Sequence, residues 1–276
     1  MKPAPFTYVR PDTLAEALGL LKEEPEARVM AGGQSLGPLL NLRLAQPRHV
    51  IDISRLDELC GSSVAGDTLA IGACVTHAQI EDGKIPDIAP RGFLPHVAKG
   101  IAYRAVRNRG TLGGSLAHAD PAADWLTAMI ALDASLELRG ANGKSQIKVA
   151  KFVTGALQTS IEAGHLVSCV LLPRLSASAR WGYAKYARKP GDFAESMAVA
   201  MVDPERGFSS RIVLGRRSEP PALMPASSQL LTASQANPSA EKLEAATEAD
   251  LRSAKVEAGD WTMHRAIVLR AIRALA

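Results

Sequence analysis

Leu14, Ala17, Leu18 and Leu21 recur at three- and four-residue intervals in DTLAEALGLLKEE, a spacing that predicts an amphipathic helix with Asp12 or Thr13 as its N-cap. RVM and HVIDIS are short apolar runs and read as buried strands. Between them GPLLNLRLA predicts a helical turn, with Pro38 suited to its first positions. The first stretch, to about residue 55, therefore reads as a small α/β unit.

From about Leu69 the pattern changes. TLAIGACVTHAQIED predicts a strand and then a helix capped near Thr76, and PHVAKGIAYRAV predicts a further helix. Asp120 and Pro121 resemble an N-cap and first helical residue for PAADWLTAMIAL. ASLELRGANGKSQIKVAKF reads as a hairpin turning at Asn142-Gly143, LVSCVLLP as a strand, and RLSASAR as a linker. Beyond it, WGYAKYARKPGDFAESMAVAMV and GFSSRIVLGR predict antiparallel strands around a loop. A Pro- and Ser-rich stretch follows at 219–240, then two amphipathic helices near 241–256 and 261–275. No repeat of fixed period is visible.

Composition narrows the function. The chain has 276 residues, with 32 Lys and Arg against 28 Asp and Glu, a mild balance spread along its length that argues against a nucleic-acid footprint. Aromatic residues make up 4%, which leaves little for base stacking. No apolar leader opens the chain, and the longest apolar run is too short to span a bilayer. Cys60, Cys74 and Cys169 are widely spaced, consistent with free thiols in a reducing, cytoplasmic compartment and unable to hold an iron–sulfur cluster. His77, His118 and His165 show no metal-ligand spacing, and no Ser-His-Asp or Cys-His arrangement can be argued.

Two glycine loops carry the candidate chemistry, AGGQSLG at 31–37 and RGTLGGS at 109–115. Glycine admits positive φ and leaves no side chain between backbone amides and a ligand, so such loops suit an anion. Neither loop holds the lysine of a phosphate-binding P-loop, and glycines at 32, 33 and 37 fail the dinucleotide spacing, although Asp52 lies where a ribose-binding acid would stand. The remaining reading is that both loops close on one diphosphate through amide donors, helped by Ser35, Thr111 and Ser115. The plain alternative is a pair of tight turns.

AGGQSLGPLLNLRLAQPRHVIDI and RNRGTLGGSLAHADPAAD resemble the two flavin motifs of the FAD-binding (medium) subunits of molybdenum hydroxylases, a group that includes carbon monoxide and xanthine dehydrogenases. YAKYARKPGDFAESMAVA is similar to the segment that opens the family's C-terminal domain. The resemblance implies an α+β fold: a two-subdomain FAD-binding domain of the vanillyl-alcohol-oxidase type at 1–175 (subdomains about 1–55 and 56–175), then a smaller α+β domain at 176–276. FAD, bound non-covalently, would lie between the subdomains. Ala31, Gly32, Gly33, Gln34, Ser35 and Leu36 with Thr111, Leu112, Gly113, Gly114 and Ser115 would cradle its pyrophosphate. Asp124 matches a ribose-binding carboxylate, and Lys185 a lysine at the flavin's pyrimidine edge that would tune its potential. Ile101 and Val167 would pack on the flavin, and Arg188 and Asp192 sit in a loop near its open face. His118 could reach phosphate or ribose, but a local hydrogen bond is the preferred reading. No side chain of the chain is expected to be catalytic, and no metal is expected in it.

The same resemblance implies a large partner carrying the molybdopterin cofactor, a small partner carrying 2Fe–2S clusters, and a dimer of heterotrimers. Two alternatives stay open at this level: a stand-alone FAD-dependent oxidoreductase of similar fold, and a non-redox nucleotide-binding protein.

Overall fold

The computed structural model describes residues 2–87, 92–206, 210–235 and 237–275. Three parallel strands form the first sheet, with His49–Asp52 between Thr7–Val9 and Arg28–Met30. Helix Leu14–Glu23 buries Leu14, Ala17 and Leu21, and the Thr13 hydroxyl caps it by accepting from Glu16 N. The N-cap is therefore Thr13, one of the two residues that the sequence suggests.

The second sheet is antiparallel and five-stranded, in the order Ser62–Ala65, Thr68–Gly72, His165–Pro173, Ser135–Gly140, Gly143–Lys148. Helices Phe93–Lys99, Leu112–His118 and Asp124–Ala131 contribute to the main core with it. The Thr76 cap forms as expected, as a full capping box with Gln79 on helix His77–Glu81. The third sheet runs Arg180–Tyr186, Ser196–Val202, Arg211–Arg216, Ala222–Leu223. Its strand SMAVAMV is buried at every position because both faces are covered. Val199 and Met201 join the main core, whereas Ala198, Ala200 and Val202 face a second core with Ile267, Val268 and Ala271 of helix Trp261–Arg273. Mixed helices and mainly antiparallel sheets make the fold α+β.

Four local expectations are corrected. The helix expected for PAADWLTAMIAL starts at Asp124 with Ala123 as N-cap, because Asp120 turns its carboxylate onto Ala122 N at 3.0 Å and closes a separate turn first. The hairpin pairs Gly140 with Gly143, so its loop is Ala141-Asn142 and Gly143 opens the return strand. The helix read through PHVAKGIAYRAV is two, Phe93–Lys99 and Arg104–Arg107, broken at Ala102, which takes φ 44°. The Pro- and Ser-rich stretch holds helix Pro225–Ala233, with Pro225 in its first turn where no amide is missed. Of the expected strand GFSSRIVLGR, Gly207–Ser209 lie outside the described residues and Arg211–Arg216 is strand.

Candidate flavin site

The glycine loops meet directly. A Cβ on Gly32 would stand 1.9 Å from the Arg109 carbonyl oxygen and 2.9 Å from Gly110 Cα, so only glycine lets the backbones pass. A Cβ on Gly114 would lie 3.8 Å from Ala31 Cβ. Gly33 takes φ +70°, which turns the chain out of strand Arg28–Met30 towards helix Leu36–Asn41.

Their donors differ, which the sequence does not reveal. Among the described residues, the amides of Gly32, Gly33, Gln34, Ser35 and Leu36 donate to no group of the chain, and Gln34 folds back to donate through Nε2 to Gly32 O at 3.2 Å. They form a run of five free N–H groups. In the second loop most amides are engaged: Leu112 N donates to Val75 O and Gly113 N to Ala73 O, each at 3.0 Å, Gly114 N to Thr111 Oγ1 at 3.1 Å and Ser115 N to Thr111 O at 3.0 Å, while Thr111 N donates to no group among the described residues. Gly113 presses on Ala73, where an added Cβ would come within 2.4 Å of Ala73 Cβ. The donors are therefore unevenly shared between the loops: five amides stay free in the first and Thr111 N in the second, whose other amides position helix Leu112–His118. Ser35 and Ser115 are half-buried, and among the described residues neither hydroxyl has a partner.

Asp124 and Lys185, expected at different parts of a dinucleotide, form one buried pair. Lys185 Nζ donates to Asp124 Oδ1 at 2.9 Å and Oδ2 at 3.0 Å, and approaches Gly100 O at 3.4 Å. Tyr183 Oη donates to Asp124 Oδ1 at 2.5 Å. Asp124 opens its helix, where the dipole favours an acid, and Lys185 comes from strand Arg180–Tyr186 of the third sheet. Burial first, and then the Asp124 charge, hold the Tyr183 phenol well above its usual pKa.

Ile101 sits half-buried in the break at Gly100–Tyr103. Arg107 fixes that turn by donating to Ile101 O at 2.9 Å and Ala102 O at 3.0 Å while its guanidinium pairs with Glu81 at 2.8 Å. Ala102 N donates to Gly191 O at 2.9 Å, which docks the KPGD loop here. Arg188 lies on the loop's exposed side, pairing with Glu195, and Asp192 caps Phe193 N. Val167 is in the main core, beside a register shift in strand His165–Pro173.

The remaining candidates serve the scaffold. Asp52 accepts from the Tyr8 hydroxyl and from Ser54 N, so both carboxylate oxygens are engaged within the chain. His77 is buried, and its Nδ1 accepts from Trp125 Nε1 at 3.1 Å. Burial, with Arg107 nearby, lowers its pKa to about 4, so it is neutral. The His118 ring has no partner among the described residues, so the expected local hydrogen bond is not formed. Cys74 donates to Ile53 O, and burial raises its thiol pKa. No group of three or more His, Cys, Asp or Glu side chains able to hold a metal occurs among the described residues, and no helix there is long and apolar enough to cross a membrane. Sequence reasoning missed Tyr183 and Arg107; the signal for Tyr183 was the two-residue strand period that sets it beside Lys185.

Five free amides beside a glycine crossing fit the diphosphate of a dinucleotide, whose charge needs donors and whose bulk needs the missing side chains. Residues 4–175 match the family described as FAD binding domain in molybdopterin dehydrogenase. The chain is 34% identical over 258 residues to the nicotine 6-hydroxylase medium subunit of Paenarthrobacter nicotinovorans, covering 92% of this chain and 88% of that one. It superposes on quinoline 2-oxidoreductase from Pseudomonas putida 86 with a TM-score of 0.87 at 32% identity, covering 99% of this chain and 98% of that one. Carbon monoxide dehydrogenase from Hydrogenophaga pseudoflava superposes with a TM-score of 0.88 at 31% identity, covering 100% and 98%. Matched by family and along nearly its whole length, the chain belongs to the FAD-binding subunits of the molybdenum hydroxylases and is an oxidoreductase flavoprotein.

Proposed function

We propose that this chain is the flavin-carrying medium subunit of a cytoplasmic molybdenum hydroxylase. In this reading it assembles with a large subunit holding the molybdopterin cofactor and a small subunit holding 2Fe–2S clusters, and two such heterotrimers associate. The three cysteines, half-buried or buried, fall short of the four thiolates that a cluster takes, which supports cluster chemistry in a partner rather than here. FAD, when bound, supplies the redox chemistry: single electrons arrive from clusters and pairs leave to an external acceptor.

The chain's own residues have defined tasks. Residues 31–36 hold the diphosphate with free amides, and Ser35 and Ser115 add hydroxyl donors. Thr111 adds its free amide to the cradle, and Leu112, Gly113 and Gly114 set the helix start and leave the approach open. Asp124 and Lys185 act as one unit that binds sugar hydroxyls and places an ammonium near the flavin's pyrimidine edge, which favours the more electron-rich reduced form. Ile101 supplies apolar contact, and Val167 supports it from the core. Residues 1–175 are the FAD-binding domain, with subdomains meeting near residue 55, and residues 176–276 the C-terminal domain, whose strand brings Lys185.

The run of free amides at 32–36 against Arg109–Gly110 carries this reading. A visible spectrum of the native purified protein, with a gel of what accompanies it, tests it. Flavin bands near ~450 nm overlaid with iron–sulfur absorbance, plus one large and one small partner, are expected. Flavin in a single chain would remove the subunit assignment. No flavin after added FAD would remove the flavin site.

A further inference from the structure

Tyr183 is the polar contact of the Asp124–Lys185 pair to which the expected site assigns no task. The two-residue period of strand Arg180–Tyr186 sets Tyr183 and Lys185 on one face, and both converge on a single carboxylate. The Tyr183 ring is fixed: it packs against the main core and meets His96 edge-on at 5.2 Å. Its hydroxyl therefore donates to Asp124 Oδ1, the oxygen that also receives Lys185 at 2.9 Å.

We propose that Tyr183 is a positioning residue for the flavin: by donating to Asp124 it offsets part of the carboxylate charge, so that Lys185 is held in place without being neutralised. This rests on the reading that Lys185 faces the flavin. A carboxylate paired with an ammonium alone cancels most of its field in a site of low dielectric. A phenol dipole with its positive end on the same oxygen restores part of that field. Because the phenol stays protonated, the contribution is constant across the working pH range.

The test is a redox titration of the full-length chain loaded with FAD, comparing Tyr183→Phe, Lys185→Met and Tyr186→Phe with the unmodified protein. Tyr183→Phe is expected to take up FAD but to weaken binding of reduced relative to oxidised flavin about tenfold, equivalent to a potential about 30 mV lower for a two-electron couple. Tyr186, exposed at the strand end, is the control and should leave the potential unchanged. An unchanged or raised potential in Tyr183→Phe, with a lowered one in Lys185→Met, overturns the proposal and leaves the flavin site standing. No change in Lys185→Met overturns the placement of Lys185 itself. Should Tyr183→Phe fail to take up FAD, 3-fluorotyrosine at position 183 replaces it. This stronger donor of nearly the same shape is expected to raise the potential, and no rise would again overturn the proposal.

Discussion

Lys185 Nζ and Asp124 Oδ1 stand 2.9 Å apart although 61 residues separate them in the chain. The contact ties a helix of the main core to a strand of the third sheet, and both side chains are nearly removed from solvent. Two charges taken out of water stabilise a fold only while each has its partner.

Removing one partner should therefore be costly. Asp124→Ala is expected to destabilise the flavin-free chain by about 3 kcal/mol, since it leaves the ammonium buried without its counter-ion. Combining Asp124→Asn with Lys185→Met should recover most of that loss. Denaturant unfolding of the two variants measures the difference, and equal stabilities would show that the pair is not the cause.

The glycine crossing gives a second prediction. Gly32→Ala puts a methyl on the Arg109 carbonyl, which is backbone and cannot turn aside. It should destabilise by about 1–3 kcal/mol and reduce FAD uptake at least tenfold. Gly37→Ala meets nothing within 4 Å and lies in helix Leu36–Asn41. It should be neutral or stabilise by up to about 1 kcal/mol. Thermal unfolding and flavin titration of both variants decide the matter.

Ser35 and Ser115 separate binding from folding. With no partner in the chain among the described residues, their hydroxyls add nothing to its internal hydrogen bonds. Ser35→Ala and Ser115→Ala should each raise the FAD dissociation constant about three- to tenfold, the worth of one hydrogen bond, with unfolding midpoints unchanged. Fluorescence titration of flavin gives the first quantity and calorimetry the second.

His77 predicts a pH dependence. Its pKa is lowered from 6.5 to about 4 by burial, so between these values the unfolded chain takes up a proton that the folded chain refuses. Stability is then complete above about pH 6.5 and falls towards pH 4, by up to about 3 kcal/mol from this residue. His77→Asn keeps an acceptor for Trp125 Nε1 and removes the titration. Its stability should fall less steeply over that window, as measured by denaturant unfolding at a series of pH values. Parallel slopes would contradict the assignment.

Local order in this protein is written in neighbouring residues. The spacing of Leu14, Ala17 and Leu21 names a helix face, Thr76 names a cap, and both glycine loops announce close backbone approach, because each feature depends on positions within one or two turns. Where two local signals competed, the sequence alone misjudged the winner. Asp120-Pro121 has the chemistry of a helix start, but the carboxylate found Ala122 N and the helix began at Asp124. The family motifs marked Asp124 and Lys185 as site residues, and their chain positions reveal nothing of their mutual contact. That contact, the engagement of the second loop's amides by Ala73 and Val75, and the recruitment of Tyr183 were decided only when distant segments packed. Which donors stay free for a ligand depends on which acceptors come within about 3 Å, and packing across the whole chain sets that distance.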